Sequence, residues 1–382
     1  ATIQREQNRI IRNEDAPVLI IQGVAGSGKT SIALHRIAYL LYSGKGKLSS
    51  RHILIVSPNR VFSDYISDVL PELGEETVPE TSMEKILSEV LNNRYRYQSF
   101  FEQVSELQGK TTPGLPERIQ YKGSAGFASQ LDRFLLHLEN NCFHAADIRL
   151  NQHFSIPSEY IREHFGRFHR YPVRQRYEPM TEYILNMAEI LYRVKVSPGE
   201  RNRVKEEIRN MFSGNNDLQV YRAFFDWAGK SDMFRLRKNQ TLEYSDLAPM
   251  AYLHLALEGD EGKNRVRHLL IDEMQDYTPI QYKVVRKLFP CRTTILGDNG
   301  QSVNPYAFST AEMIRQAFGS GEVMKLSKSY RSTFEIIRFA GRIKINDELE
   351  AFERHGEEPR VYSYRNREEE LSKISELIQN FR

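Results

Sequence analysis

The sequence predicts an α/β protein: a parallel sheet interrupted by a mostly helical insertion and followed by the start of a second α/β domain. Three observations predict it. Short apolar runs bounded by turn residues occur at Val18-Leu19-Ile20-Ile21, His52-Ile53-Leu54-Ile55-Val56, Leu269-Leu270-Ile271 and Thr293-Thr294-Ile295-Leu296. They are too short for helices and do not alternate polar with apolar, so they read as strands covered on both faces. Helical segments alternate with them, which argues for parallel pairing. Between about residues 81 and 240 the style changes to long, polar, aromatic-rich helical segments without such runs.

In order along the chain, residues 2–13 are expected to be helical, with Ile3, Gln7, Ile10 and Ile11 along one side. Asp15 and Pro17 break that helix, and the strand at Val18 follows. Residues 31–42 repeat apolar side chains at helical spacing: Ile32, Leu34, Ile37, Ala38 and Leu41. The second strand, from His52, stops at Ser57-Pro58-Asn59, and a helix is expected over 61–70. Helices are expected over 83–101, 125–140, 179–195 and 201–211. Strands return at 266–271, running into Asp272, and at 293–296, running into Gly297-Asp298. A strand at 360–364 followed by a helix at 368–381 reads as one more β-α step. The domain expectation is therefore 1–80 and 241–325 for a first α/β domain, 81–240 for the insertion, and 326–382 for the beginning of a second α/β domain.

The chain has 382 residues, more than one compact core usually holds. It is 40% hydrophobic and 27% charged, with a mean hydropathy of −0.54, which excludes a globally disordered chain. A net charge of +3 tolerates a polyanionic partner without demanding one. The two cysteines, Cys142 and Cys291, lie far apart and fit a reducing compartment; no C-x-x-C or Cys/His cluster points to a structural zinc. No apolar run reaches membrane-spanning length, so no membrane association is expected. The start, Ala1-Thr2-Ile3-Gln4-Arg5-Glu6, is polar and carries no signal peptide; its lack of an initiator Met suggests a piece of a longer protein.

Gly23-Val24-Ala25-Gly26-Ser27-Gly28-Lys29-Thr30 matches G-x-x-x-x-G-K-[ST] between an expected strand and an expected helix. Glycines allow backbone N–H groups to approach phosphate oxygens, and the following helix points its positive end at the same anion. Lys29 supplies a charge to the β- and γ-phosphates of a nucleoside triphosphate, and Thr30 a hydroxyl to Mg²⁺. Magnesium needs hard oxygen ligands. Asp272 and Glu273, delivered at the end of an apolar strand, provide them: Asp272 for the metal, Glu273 to polarise an attacking water.

Six stretches resemble superfamily 1 helicases of the UvrD/Rep type, in the family's order. They are Gln7 ahead of the phosphate loop, Gly23 to Thr30, Tyr244-Ser245-Asp246-Leu247, Asp272-Glu273-Met274-Gln275-Asp276, Gly297-Asp298-Asn299-Gly300-Gln301-Ser302, and Leu326-Ser327-Lys328-Ser329-Tyr330-Arg331-Ser332. The resemblance implies RecA-like P-loop NTPase domains using ATP and Mg²⁺. It implies that Gln7 reads the adenine, Tyr330 stacks on it, Gln301 touches the γ-phosphate region, and Arg331 is the arginine finger. The catalytic set is then Lys29, Glu273, Gln301 and Arg331. Gln7, Gly23, Ala25, Gly26, Ser27, Gly28, Lys29, Thr30, Ser31 and Tyr330 surround the nucleotide, and Thr30 and Asp272 hold the metal.

The wording looks most like the HelD-type branch. Thr2-Ile3-Gln4, Glu6-Gln7-Asn8, Ser31-Ile32-Ala33-Leu34-His35-Arg36-Ile37-Ala38-Tyr39-Leu40, Ser57-Pro58-Asn59, Asp64-Tyr65-Ile66-Ser67 and Leu70-Pro71-Glu72-Leu73-Gly74 carry that likeness. It implies a bacterial, cytoplasmic, nucleoid-associated monomer that binds RNA polymerase and releases it from nucleic acid, with DNA ahead of RNA. Two alternatives stay open: a UvrD/Rep-like 3'-5' DNA repair helicase, and a nucleotide-gated partner-binding module without productive hydrolysis.

Four departures from the helicase pattern matter. Ser31 replaces an arginine that stacks under the base, which implies a looser hold on adenine. Ser57-Pro58-Asn59-Arg60 lacks the strand-gripping wording. Glu80-Thr81-Ser82-Met83-Glu84 lacks the aromatic platform of T-F-H-G-F. The later motifs of the second motor domain do not appear before Arg382, so this piece is expected to bind ATP better than it turns it over. Within the insertion, Arg162, Arg167, Arg170, Arg174 and Arg176 interleave with His164, Phe165, Phe168, His169, Tyr171 and Tyr177. That mixture suits nucleic-acid contact, a protein interface, or a solvated hairpin with its aromatics turned inward. Trp227, Phe224 and Phe225 are expected in the core.

Overall fold

The computed structural model describes residues 5–58, 76–109, 112–150, 154–193, 195–213, 216–260, 265–302, 309–343, 350–351 and 353–380. The expected helix over 61–70 lies outside the described residues, as do residues 2–4, Asn59, Arg60 and the segments 64–67 and 70–74.

The chain opens with α1 (Arg5–Ile11), which buries Ile10 and Ile11. Then come β1 (Val18–Gly23), α2 (Lys29–Ser43), β2 (Ile53–Val56) and the short β3 (Glu80–Thr81). Helices follow: α3 (Met83–Val90), α4 (Phe100–Gln108), α5 (Leu115–Lys122) and α6 (Ala125–Asn141). A two-residue ladder joins β4 (Ile148–Arg149) antiparallel to β5 (Ser155–Ile156). Next are α7 (Ser158–Arg167), α8 (Tyr177–Tyr192), α9 (Pro198–Asn210), α10 (Asp217–Trp227) and α11 (Tyr244–Leu257). The α/β alternation resumes with β6 (His268–Ile271), α12 (Pro279–Leu288), β7 (Arg292–Gly297), α13 (Ala311–Phe318) and β8 (Glu322–Leu326). The last elements are β9 (Lys328–Ser329), α14 (Phe334–Ile343), β10 (Glu350–Ala351) and α15 (Arg367–Asn380).

The chain divides into two compact units. The first is Ala1–Gln22 with Lys29–Lys325; the second is Gly23–Gly28 with Leu326–Arg382. The first unit is built on a six-stranded sheet in the order β3-β2-β6-β7-β1-β8. Every pairing from β3 across to β1 is parallel. His268 to Ile271 are all buried and Val18 to Ile21 nearly so, as strands covered on both faces must be. From β1 the chain passes to β2 on one side of the sheet, and from β7 to β8 on the other. That reversal is the place where open α/β sheets bind ligands, beyond the carboxyl ends of their strands.

Most of the helical stretch shares its core with the sheet, while Leu115 and Ile119 of α5 form a small separate cluster. One continuous cluster of buried residues runs from Val18, Ile20 and Val56 of the sheet through Leu131, Ile161, Ile184 and Phe224 to Val285 and Ile314. α11 lies at its centre and is buried along most of its length; a helix apolar on all sides has no solvent face to offer.

Three expectations need correction. The helix over 83–101 is two helices, because Asn92 and Asn93 both adopt left-handed backbone (φ 55° and 53°) and turn the chain after α3; Ser99 then caps α4 in a capping box with Glu102. Residues 360–364 form no strand: among the described residues no strand pairs with them, and an unpaired apolar alternation makes no ladder. The stretch 81–240 is mostly helical as expected, with one two-residue ladder, β4–β5, added to it. Trp227 is 40% exposed, while Phe224 and Phe225 are fully buried; its ring rests on Phe134 with centroids 5.5 Å apart and leaves its other side to solvent.

Candidate nucleotide site

In the second unit the glycine loop has the backbone that its sequence demands. Gly26 (φ 73°) and Gly28 (φ 83°) are left-handed, a conformation that side chains strain to adopt. Space is also missing: a Cβ on Gly26 would lie 2.6 Å from Arg331 Cβ and 2.8 Å from Ser329 Oγ. The loop is held by main-chain bonds. Val24 N–H donates to Leu326 O at 3.1 Å, Ser27 N–H to Val24 O at 3.1 Å, and Tyr330 N–H to Gly26 O at 2.9 Å. The Ser27 hydroxyl is buried and has no protein partner among the described residues. A crowded left-handed glycine loop with an unanswered buried hydroxyl fits an anion bound there. Arg331 is exposed, Tyr330 half-buried and Ala25 exposed.

In the first unit Lys29 and Thr30 form the first turn of α2, and the N-terminal end of a helix favours negative charge. Both side chains are half-buried, and Ser31 is exposed. Gln7 is half-buried on α1.

The acids follow β6. Asp272 N–H donates to Val56 O at 2.9 Å, so the strand pairing carries on to the carboxylate and fixes it at the sheet's edge. Asp272 is 5% exposed. Burial pushes its pKa up to about 7, with the neighbouring Glu273 adding to the effect; a backbone hydrogen bond from Glu273 and the charge of Lys29 act in the opposite direction. The acid after β6 and the lysine at the start of α2 thus share one electrostatic environment. Glu273 itself is left-handed (φ 50°, ψ 53°), an uncommon state for a non-glycine residue and one that marks functional turns.

Gln275 explains how that turn is held, and the sequence assigned it no role. It is 3% exposed. Its Nε2 donates to Glu273 Oε2 at 2.8 Å, and its Oε1 accepts from Asp298 N–H at 3.0 Å. The turn after β6 is therefore tied to the turn after β7. Gly297 permits this approach: a Cβ there would lie 2.4 Å from both Gln275 Oε1 and Met274 Cγ. Asp298 organises the second turn by accepting from Gly300 N–H at 2.9 Å and from the exposed Gln301 side chain. The D-E-M-Q-D and G-D-N-G-Q-S wording contained both partners, but nothing in either stretch says that they bond to each other.

The basic-aromatic segment of the insertion turns inward in large part. Phe165 stacks on Phe143 with centroids 4.4 Å apart, and the buried Arg176 lies over Phe165 and pairs with Glu139. Arg167 pairs with Glu163 and Arg174 with Glu258. Arg162, Arg170, His169 and Tyr171 remain exposed. The third of the open readings, a hairpin with its aromatics facing the core, describes most of this segment.

A family profile described as "UvrD/REP helicase N-terminal domain" matches residues 3–107 and 126–317, well over half of the chain. The ATP-dependent DNA helicase Rep of Escherichia coli is 31% identical over 159 residues, covering 37% of this chain and 24% of that protein. The putative ATP-dependent DNA helicase YjcD of Bacillus subtilis is 21% identical over 399 residues, covering 99% of this chain and 44% of its own length. The ATP-dependent DNA helicase UvrD1 of Mycobacterium leprae is 24% identical over 368 residues, covering 88% and 39%. The chain thus spans less than half the length of each of these relatives.

Proposed function

Since this chain belongs to the UvrD/Rep helicase family, we propose that it forms part of an ATP-hydrolysing motor that remodels nucleic-acid complexes, with DNA as the strand it works on. The names of the relatives support ATP and DNA. One observation carries the chemical reading: Asp272 is buried at the sheet's carboxyl edge within the electrostatic reach of Lys29, beside a left-handed Glu273 held by Gln275.

The roles are the ones the family resemblance implies for these residues. The glycine loop and the first turn of α2 bind the phosphates, and Lys29 balances charge on the β- and γ-groups. A magnesium ion held by Thr30 and Asp272 would supply further positive charge to the same oxygens. Glu273 orients a water for in-line attack on the γ-phosphorus and draws off its proton as the P–O bond to ADP breaks. Arg331, whose backbone rests against Gly26, answers the charge that develops on the γ-phosphoryl group. Gln7 reads the adenine edge and Tyr330 stacks on the ring. Gln301, linked through Asp298 and Gln275 to Glu273, reports the γ-phosphate to the rest of the unit. Glu273→Gln keeps the shape and removes the base. It is expected to lower kcat for ATP by about 10²–10⁴ and to leave ATP binding within about twofold. Steady-state turnover and nucleotide titration check this; retained turnover removes Glu273 from the chemistry.

Two readings of the work done fit equally. Duplex unwinding follows the named activity of the relatives. Release of RNA polymerase from nucleic acid follows the HelD-like wording of residues 31–40 and the departures at Ser57-Pro58-Asn59-Arg60 and Glu80-Thr81-Ser82-Met83-Glu84. The full-length protein separates them. Strand displacement on tailed DNA without polymerase selects the first. ATP-dependent release of polymerase from a stalled complex, without strand displacement, selects the second. If release persists in Glu273→Gln, nucleotide binding alone does the work and neither motor reading holds.

A further inference from the structure

Arg36 of α2 is 2% exposed. A guanidinium so deep must have its donors answered. Its Nη1 donates to Ile10 O at 2.8 Å and Ile11 O at 3.2 Å, and its Nε donates to Thr294 Oγ1 on β7 at 3.0 Å. Burial draws its pKa down to about 10, with Arg292 adding and Glu14 and Tyr39 opposing, so it stays charged at neutral pH. Ile10 and Ile11 are the last residues of α1, whose final carbonyls have no partner inside the helix. The carbonyls that close α1 need partners from outside the helix. Arg36 is such a partner, from the helix whose first turn carries Lys29 and Thr30. The exit from α1 is held by further residues of the same unit: Asn13 donates to Glu322 at 2.9 Å, Arg292 donates to Glu14 O, and Arg12 lies over the Tyr39 ring. Asn13 N–H also donates to Ile10 O at 3.3 Å, and Arg36 is the buried side chain among these that bonds to the end of α1.

We propose that Arg36 is a positioning residue for base recognition: it locks the end of α1 onto α2 and β7, and so places Gln7, one turn earlier, in register with the phosphate-binding turn at Lys29. This rests on the reading of Gln7 as the residue that recognises adenine. Arg36 touches no nucleotide. Its effect is on the choice between bases, and nothing in it acts on the phosphoryl group. Lysine in its place keeps the charge and cannot reach three acceptors at once.

The test is a double-mutant cycle on Gln7→Ala and Arg36→Lys in the full-length protein, read as the ratio of GTP to ATP dissociation constants by competition with a fluorescent nucleotide. The ratio does not depend on the folded fraction. Gln7→Ala is expected to lower the preference for ATP about tenfold, and Arg36→Lys about fivefold, each by loss of directed hydrogen bonds. The double variant is expected to be no worse than Gln7→Ala alone, since the two act through one contact. Thr294→Val, which removes the guanidinium's anchor on β7, replaces Arg36→Lys if that variant does not fold, with the same expected direction. If Gln7→Ala leaves the ratio unchanged, the adenine-reading assignment falls and the inference falls with it. If Gln7→Ala lowers the ratio while Arg36→Lys and Thr294→Val do not, or if the effects multiply in the double variant, the positioning role is overturned and the Gln7 assignment stands.

Discussion

At the scale of single residues, a few side chains decide what the sheet's carboxyl edge can do. Glu273 takes a strained backbone, and Gln275 holds its carboxylate while accepting from Asp298 N–H. Gly297 is the residue whose smallness makes this possible. Gly297→Ala places a methyl against Gln275 and Met274, and is expected to cost about 1–3 kcal/mol of stability by overpacking. It is also expected to lower kcat more than it weakens ATP binding, because it displaces Gln275 and leaves α2 untouched. Chemical denaturation and steady-state kinetics measure the two effects; an unchanged kcat in a destabilised variant removes Gln275 from the positioning of Glu273. The positions of Lys29 and Thr30 at the start of α2, and of Asp272 and Glu273 after β6, were legible in the sequence because each pair lies in a short motif beside a strand end. Gln275 and Arg36 had no legible role because their partners lie 23 and 258 positions away.

At the scale of elements, helical period and apolar runs located α2, α6, α8, α9 and the strands β1, β2, β6 and β7 to within a few residues, and missed the edge strands β3 and β8. They failed where backbone conformation overrode periodicity, at the left-handed Asn92 and Asn93. They also failed to show what joins α5 to α11. There Lys122 is buried between Glu243 at 3.0 Å and Asp246 at 2.5 Å, while Arg118 binds Glu243 at 2.5 Å and Tyr221 Oη donates to Asp246 at 2.8 Å. Burial raises the pKa of both acids; for Glu243 the two cations overturn it and hold the group below its ordinary range, whereas Asp246 stays raised. Removing one partner leaves charge buried and unanswered. Lys122→Met is therefore expected to lose about 3–5 kcal/mol. A shift in the urea midpoint at unchanged slope checks it; a neutral result makes this network dispensable for the junction of α5 with α11.

At the scale of the first unit as a whole, the sheet carries a titratable group in its interior. His268 on β6 is 4% exposed and shares Thr294 Oγ1 with Arg36, its own Nε2 lying 3.0 Å from that oxygen. Its pKa falls from 6.5 to about 3, through burial first and then the charges of Arg36 and Arg292. The unfolded chain takes up a proton below about pH 6.5 that the folded chain refuses until about pH 3, so stability drops as the pH falls through that window. His268→Gln is expected to flatten the dependence between about pH 6.5 and 5 by up to about 1.4 kcal/mol per pH unit, measured by urea unfolding. Equal slopes in both proteins assign the acid sensitivity elsewhere. The architecture of this unit was legible because parallel strands advertise themselves as apolar runs. The core that the sheet shares with most of the insertion's helices was not, since those helices carry no mark in sequence of what they pack on.

The glycine loop and the segment after Leu326 are joined by two main-chain hydrogen bonds, from Val24 to Leu326 and from Tyr330 to Gly26. Such stitches have no letter in the amino-acid alphabet. Side chains at these four positions can drift over evolutionary time without cutting them, and only proline at 24 or 330 deletes a donor. A connection written in the backbone is inherited silently: two descendants can preserve it while their sequences at the seam no longer look alike.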